Sequence, residues 1–201
     1  MTSIVSAPTT DIEIISAAIS LCGKQQTVNT IDGGGALAAD GQKLYGLLVS
    51  AELSSNRWRF AQAFQQSGIL TTLTPNFDGW NYYLQLPADS LMVQAVYPYV
   101  DYIVFGDKIL TRSNQAITVV YAKNVPVSKW PGAFSMYITY HLASLIGTSV
   151  SNSDRLLARL AKGLTMWESR ALFADAQSTK TQPLRSNPYI DVRHGTRSRR
   201  N

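Results

Sequence analysis

Four aspartates come first among the residues able to do chemistry. Asp78, Asp89, Asp101 and Asp107 fall in the middle of the chain, each at a strand end or turn of a β-rich stretch. Two carboxylates held at a fixed separation can act as acid and base on a glycosidic bond. Aspartate is also a preferred turn residue, which accounts for all four positions without a reaction. Other reactive groups are sparse. Two histidines, His141 and His194, with the single cysteine, Cys22, do not supply a two-plus-two zinc site. Neither Gly-x-Ser-x-Gly nor His-Glu-x-x-His occurs. His141 lies between Ile138 and Leu145 on a helical pattern, with no acid at helical spacing, and reads as a partly buried structural histidine. Cys22 falls on an apolar helix face and reads as an inert buried thiol. Gly33-Gly34-Gly35 could cradle a phosphate, but Gly41-Gln42-Lys43 does not complete a phosphate-binding loop, so a flexible turn is expected. No catalytic, cofactor-binding or metal-ligating residue is assigned, and the expectation is a protein that is not an enzyme.

The elements that carry these residues follow from periodicity. A first helix is expected from Thr10, with Asp11 and Glu13 in its first turn, an apolar stripe of Ile12, Ile15, Ile19 and Cys22, and Gly23 as its stop. A second spans about residues 37–56, with Leu37, Leu44, Leu48 and Ala51 on one face and Trp58 in the extended register. Its Gly41 and Gly46 weaken it and permit close approach of a neighbour. Period-two alternation and turn signals then give about six strands. These are 69–74, 80–86, 91–97, 102–105, 108–111 and 117–121, with Pro75-Asn76 ending the first and Gly106-Asp107 suiting a type II′ hairpin turn. Short connections imply mostly antiparallel pairing. A third helix is expected after Val127, with Pro131 near its first turn, Phe134, Ile138, Leu142 and Leu145 on one face, and Gly147 closing it. A fourth begins near Ser153 with a long stripe of Leu157, Leu160, Leu164, Trp167, Ala171 and Ala174, leaving Arg155, Arg159, Lys162 and Arg170 on a solvated face. The expected class is α+β. Two N-terminal and two C-terminal helices (1–60 and 126–180) form a four-helix core, a β block (61–125) is inserted, and residues 181–201 form an extended basic arm.

Composition narrows the partners. Charged residues are 15% of the 201, below the roughly 25% usual in soluble proteins, and ten tyrosines and four tryptophans accompany them. That mix suits surface covered by another protein. The net charge of +5 is concentrated at one end: Pro183 to Asn201 holds five arginines against one aspartate, a net of +4, leaving +1 for the rest. Such an arm can span roughly 60 Å when extended and can neutralise phosphates or order against a partner. Tyr189 and Ile190 within it read as apolar anchors, with the arginines as polar grips. The chain has no run of eighteen apolar residues, so no membrane helix is expected. Met1 to Ser6 lacks the pattern of a secretory leader, and cytoplasmic synthesis is expected.

Several residues, in this order, resemble the tail tubular protein A family of short-tailed phages, the head-to-tail adaptor or gatekeeper-ring proteins. Leu21-Cys22-Gly23 closes the first helix. Asn56-Arg57-Trp58-Arg59-Phe60-Ala61 stands where the family has an aromatic-rich Trp-x-Phe at its helix-to-sheet junction. Trp80-Asn81-Tyr82-Tyr83-Leu84-Gln85-Leu86-Pro87-Ala88-Asp89 is similar to a family segment of aromatic strand followed by Leu-Pro-x-Asp. Tyr121 then precedes a polar link to Trp130-Pro131-Gly132-Ala133-Phe134, with Leu142-Ala143 on the next helix. Cys22 departs from the isoleucine expected before Gly23. The similarity covers roughly residues 10–180.

The resemblance implies a structural virion protein of the phage neck. Twelve copies would form a ring between portal and tail nozzle and pass DNA through the lumen without sequence-specific binding. The helical part and the arm would face the portal and the β block the nozzle. The arm residues Arg185, Tyr189, Ile190, Arg193, Arg197, Arg199 and Arg200 would contact the portal, and Arg57 and Arg59 a neighbouring subunit. Trp58, Phe60, Trp80, Trp130 and Trp167 would be structural anchors. Two other readings stand beside it: a nucleic-acid-binding virion protein using the arm, and a tail-associated polysaccharide hydrolase using the aspartates.

Overall fold

The computed structural model describes residues 10–23, 35–68, 70–150 and 153–178. Its α+β fold has helices α1 (Asp11–Leu21) and α2 (Gly35–Ser55), seven strands, then α3 (Gly132–Val150) and α4 (Asp154–Gln177). The strands are β1 (Gln62–Ser67), β2 (Thr71–Phe77), β3 (Trp80–Gln85), β4 (Ser90–Tyr97), β5 (Tyr102–Phe105), β6 (Lys108–Thr111) and β7 (Ile117–Lys123).

The helices start and stop where local chemistry dictates. Thr10 caps α1 in a capping box: its hydroxyl accepts from the Glu13 N–H, and the Glu13 carboxylate accepts from the Thr10 N–H. Ser153 caps α4 by accepting from the Leu156 N–H. Ile14, Ile15, Ala18, Ile19 and Cys22 are the buried face of α1. On α2 the buried face is Ala38, Gly41, Tyr45, Leu48, Val49 and Leu53. Leu44 flanks it, Ala51 turns outward, and the Leu37 side chain lies outside the described residues. On α4 the expected stripe is the face that packs, led by Leu160 and Ala171.

α3 is the central helix and touches the other three. Phe134, Ile138, Leu142 and Ile146 are its apolar spine, and Leu145, expected there, is exposed. Gly147 does not close α3, which runs on to Val150. It opens space instead: a Cβ there would lie 2.9 Å from Leu160 Cδ1 of α4. Gly163 of α4 does the same for Tyr140 of α3, whose ring would be 2.2 Å from an added Cβ. Gly41 lets α2 approach Ile15 and Ile146, whereas Gly46 faces open space.

The strands form two antiparallel sheets, β1-β7-β4 and β2-β3-β6-β5. Leu70, Leu84, Leu86, Val96, Ile109, Ile117 and Val119 form an apolar cluster of their own, separate from the helical one. β1 is a strand beyond those that alternation predicts. Gln-Ala-Phe-Gln-Gln-Ser has no β-branched residue, and its pairing with β7 holds it in register along its whole length. β2 does not stop at Pro75 but continues to Phe77 with a register break, and the two-residue turn is Asp78-Gly79. Both turn residues have positive φ, as a type I′ turn requires. Gly106 has positive φ and Asp107 does not, the type II′ pattern.

The Gly163 contact gives a direct test. Gly163→Ala gains about 1 kcal/mol of helix propensity but drives a methyl into the Tyr140 ring, an overpacking cost of about 1–3 kcal/mol. Urea unfolding should show net destabilisation in the wild-type background. In a Tyr140→Ala background the same change should stabilise; equal effects in both would refute the contact.

Candidate functional site

The stretch Arg57 to Ala61 joins helix to sheet. α2 ends at Ser55, so Trp58 reaches the core from the connection and not from a continued helix register. Its indole N–H donates to the Glu52 carbonyl at 3.0 Å, satisfying a C-terminal carbonyl of α2. The Trp58 ring meets Phe134 edge-on at 4.8 Å, Phe60 lies 4.8 Å from Phe134, and Trp130 is 4.9 Å away on another side. Trp130 donates its indole N–H to the Val125 carbonyl at 2.7 Å. Trp58, Phe60 and Trp130 therefore share one cluster. Trp80 is buried on β3 under the Arg112 guanidinium, and Trp167 is half-buried on α4 beside Arg170.

The two arginines of the stretch part company. The Arg59 N–H donates to Asp175 Oδ1 at 2.9 Å, and its guanidinium donates to the Ala176 carbonyl at 3.1 Å. A cation thus sits at the C-terminal end of α4, where the helix dipole favours it. Arg57 is exposed. Arg159, expected on a solvated face, donates to the Leu21 carbonyl at 3.1 Å and closes α1 in the same manner. The arm residues Arg185, Tyr189, Ile190, Arg193, Arg197, Arg199 and Arg200, together with His194, lie outside the described residues.

A groove of about 950 Å³ opens at the seam of helices and strands. Asp11, Gln42 and Tyr45 line one side, and Asp89, Asn124 and Ser128 the other. The Tyr45 hydroxyl donates to Asp11 Oδ1 at 3.0 Å. Burial, then the Asp11 charge and this hydrogen bond, push the Tyr45 phenol above its ordinary pKa.

The four aspartates do not converge as one set. Asp78 sits in the turn before Trp80, and Asp107 accepts a hydrogen bond from Gln85 at 2.6 Å, at the other end of β3. The six residues of β3 lie between them, and its five steps span about 16 Å, beyond the roughly 9.5 Å upper separation for acid–base carboxylates on a glycoside. Asp89 lines the seam groove, and Asp101 precedes β5. Among the described residues no cluster of three His, Cys, Asp or Glu side chains is placed to hold a metal ion.

His141 has an acid after all, from another helix. Glu52 Oε1 of α2 stands 3.2 Å from His141 Nδ1, within ion-pair distance but without hydrogen-bond geometry. The Tyr137 phenol is pushed above its ordinary pKa by burial first and then by the Glu52 carboxylate. No helical spacing along α3 could have revealed a partner that arrives from α2. Cys22 is buried, with its Sγ donating to the Ala143 carbonyl at 3.3 Å. Burial pushes that thiol up, and nearby Arg159 only partly offsets it.

Large apolar side chains are exposed on several elements: Leu47 on α2, Phe64 on β1, Val104 and Phe105 on β5, and Leu172 and Phe173 on α4. Among the described residues no helix is long and apolar enough to cross a membrane. No protein-family model matches the chain, and no curated protein matches it in sequence.

Two measurements probe this region. Trp58→Ala should cost about 3–5 kcal/mol of stability through the cavity it leaves, read as a lowered urea midpoint; an unchanged midpoint would refute the anchor role. Tyr45 has its pKa raised in the fold, so the native state holds that proton more tightly. Its contribution is complete below the ordinary value of 10 and is lost as pH rises past it. Stability of the wild type should therefore fall more steeply above pH 10 than that of Tyr45→Phe.

Proposed function

We propose that this chain is a head-to-tail adaptor subunit of the tail tubular protein A kind, a structural ring component joining a phage portal to the tail nozzle. The observation that carries the reading is the distribution of exposed apolar side chains. Leu47, Phe64, Val104, Phe105, Leu172 and Phe173 stand exposed on α2, β1, β5 and α4. A subunit covered on two flanks and two ends needs such surfaces, and a heterologous ring needs unlike surfaces on opposite sides. The ordered aromatic residues of the resemblance support it as well. Trp58, Phe60, Trp130 and Phe134 meet in one cluster where the strand region joins the helices.

In this reading the ring has twelve subunits. The helices and the arm meet the portal, the β region meets the nozzle, and DNA crosses the lumen without sequence recognition. The near-neutral body, +1 outside the last nineteen residues, keeps the lumen from gripping DNA. The ring is a virion component made in the host cytoplasm, and it needs no cofactor and performs no catalysis.

Mixing the purified chain with portal rings tests this. Sedimentation and electron microscopy should show a second ring stacked on the portal. A chain that remains unbound to portal rings of its own phage would overturn the reading.

A further inference from the structure

Four strands form the sheet edges: β1 and β4 in one sheet, β2 and β5 in the other. Exposed edges invite pairing with another chain, and proteins block them with proline, charge, bulges or cover. Two of these edges are blocked. β2 contains Pro75 and a register break, and β4 has two register breaks and packs against α2. The other two carry no such block among the described residues. β1 and β5 contain no proline and no charged residue, and each pairs in unbroken register with a single neighbour among the described residues.

The open edges differ in shape. β1 projects Phe64, 72% exposed. β5 borders a cavity of about 280 Å³ shared with β4, walled by Leu86, Met92, Val93 and Val104. Val104 is 50% exposed and Met92 37% exposed at its rim. β1 and β4 are opposite edges of one sheet, so the protruding ring and the apolar cleft lie on opposite sides of the strand region. Charge follows the same division. The exposed Arg57 precedes β1, and the exposed Asp101 precedes β5.

We infer that β1 of one copy adds alongside β5 of a second copy, with Phe64 seated in the cleft between β4 and β5. The occupant is a second copy of this chain because each subunit carries both the knob and the socket, on opposite sides and with opposite flanking charge. Such a contact is heterologous and propagates from copy to copy until it closes. Strand addition supplies main-chain hydrogen bonds, and the buried ring supplies the anchor. The inference stands on the edges themselves. A chain that assembles through them yet ignores portal rings would keep this contact and lose the adaptor reading.

The test uses Phe64→Lys and Val104→Lys, both at exposed positions, with circular dichroism and thermal melting to verify the fold. Analytical ultracentrifugation should show the wild type as an oligomer and each variant alone as a monomer. An equimolar mixture should give a two-subunit complex, because Phe64→Lys keeps its socket and Val104→Lys keeps its knob. The inference is overturned by a monomeric wild type at its highest soluble concentration, by a folded variant that still assembles like wild type, or by a mixture of folded variants that stays monomeric. Self-association of Val104→Lys alone as a dimer would point to pairing between two β1 edges and would equally overturn it.

Discussion

The Phe134 ring is the contact on which the two halves of this fold depend. The chain leaves the helices at Trp58 and Phe60 and returns to them at Trp130. All three rings lie within 5 Å of Phe134. Each large aromatic removes about 150–250 Å² from water, and here that burial falls on the two connections crossing between helices and strands. Neither indole carries an unmet donor into the core. Trp58 gives its N–H to the last turn of α2 and Trp130 to the Val125 carbonyl. The cluster therefore fixes the exit and the return of the strand region with directional bonds as well as apolar contact.

The low charge content makes each arginine count. A helix leaves its last carbonyls unpaired, and neither α1 nor α4 carries a basic residue in its own last turn. Arg159 from α4 closes α1, and Arg59 from the connection closes α4. Asp175 completes the second site by accepting the Arg59 N–H, so the end of α4 and the start of the strand region hold one another. These bonds also link elements far apart in sequence. The same two residues that finish a helix locally fix where that helix sits.

Helix starts and the strongly alternating strands were legible in the sequence because their signals are local. Thr10 with Glu13, Ser153, and Gly106-Asp107 announce their structures within four residues. What was not legible depended on partners distant in the chain. β1 has no strand propensity of its own and is held by β7. Gly147 reads as a helix stop, yet it admits Leu160 from the facing helix, as Gly163, which carries no signal in the sequence, admits Tyr140. Glu52 finds His141 across a helix pair, and Arg59 finds the end of a helix that begins almost a hundred residues later. Trp58 was legible as a core residue but for a reason that does not hold, since the helix ends before reaching it. Of the surface, the sequence offered an excess of aromatics but not their faces.

The placement of those faces bears on how such a chain avoids uncontrolled assembly. Edge protection is distributed unevenly: bulges, Pro75 and the cover of α2 shield β2 and β4, while among the described residues β1 and β5 lack all of these devices. A fold selected only for solubility as a monomer would block all four edges. Blocking two and leaving two unlike ones restricts contact to a single pairing, since β1 offers a ring and β5 a cleft. Whether repeated contact closes or runs on is then set by the angle between the two edges. That angle is a property of the strand region's own sandwich, whose core of Ile109, Ile117 and Val119 is fully buried and separate from the helical one. In the inferred contact between copies, a close-packed core of this kind would hold the angle between β1 and β5 fixed, and a closed ring would depend on that angle.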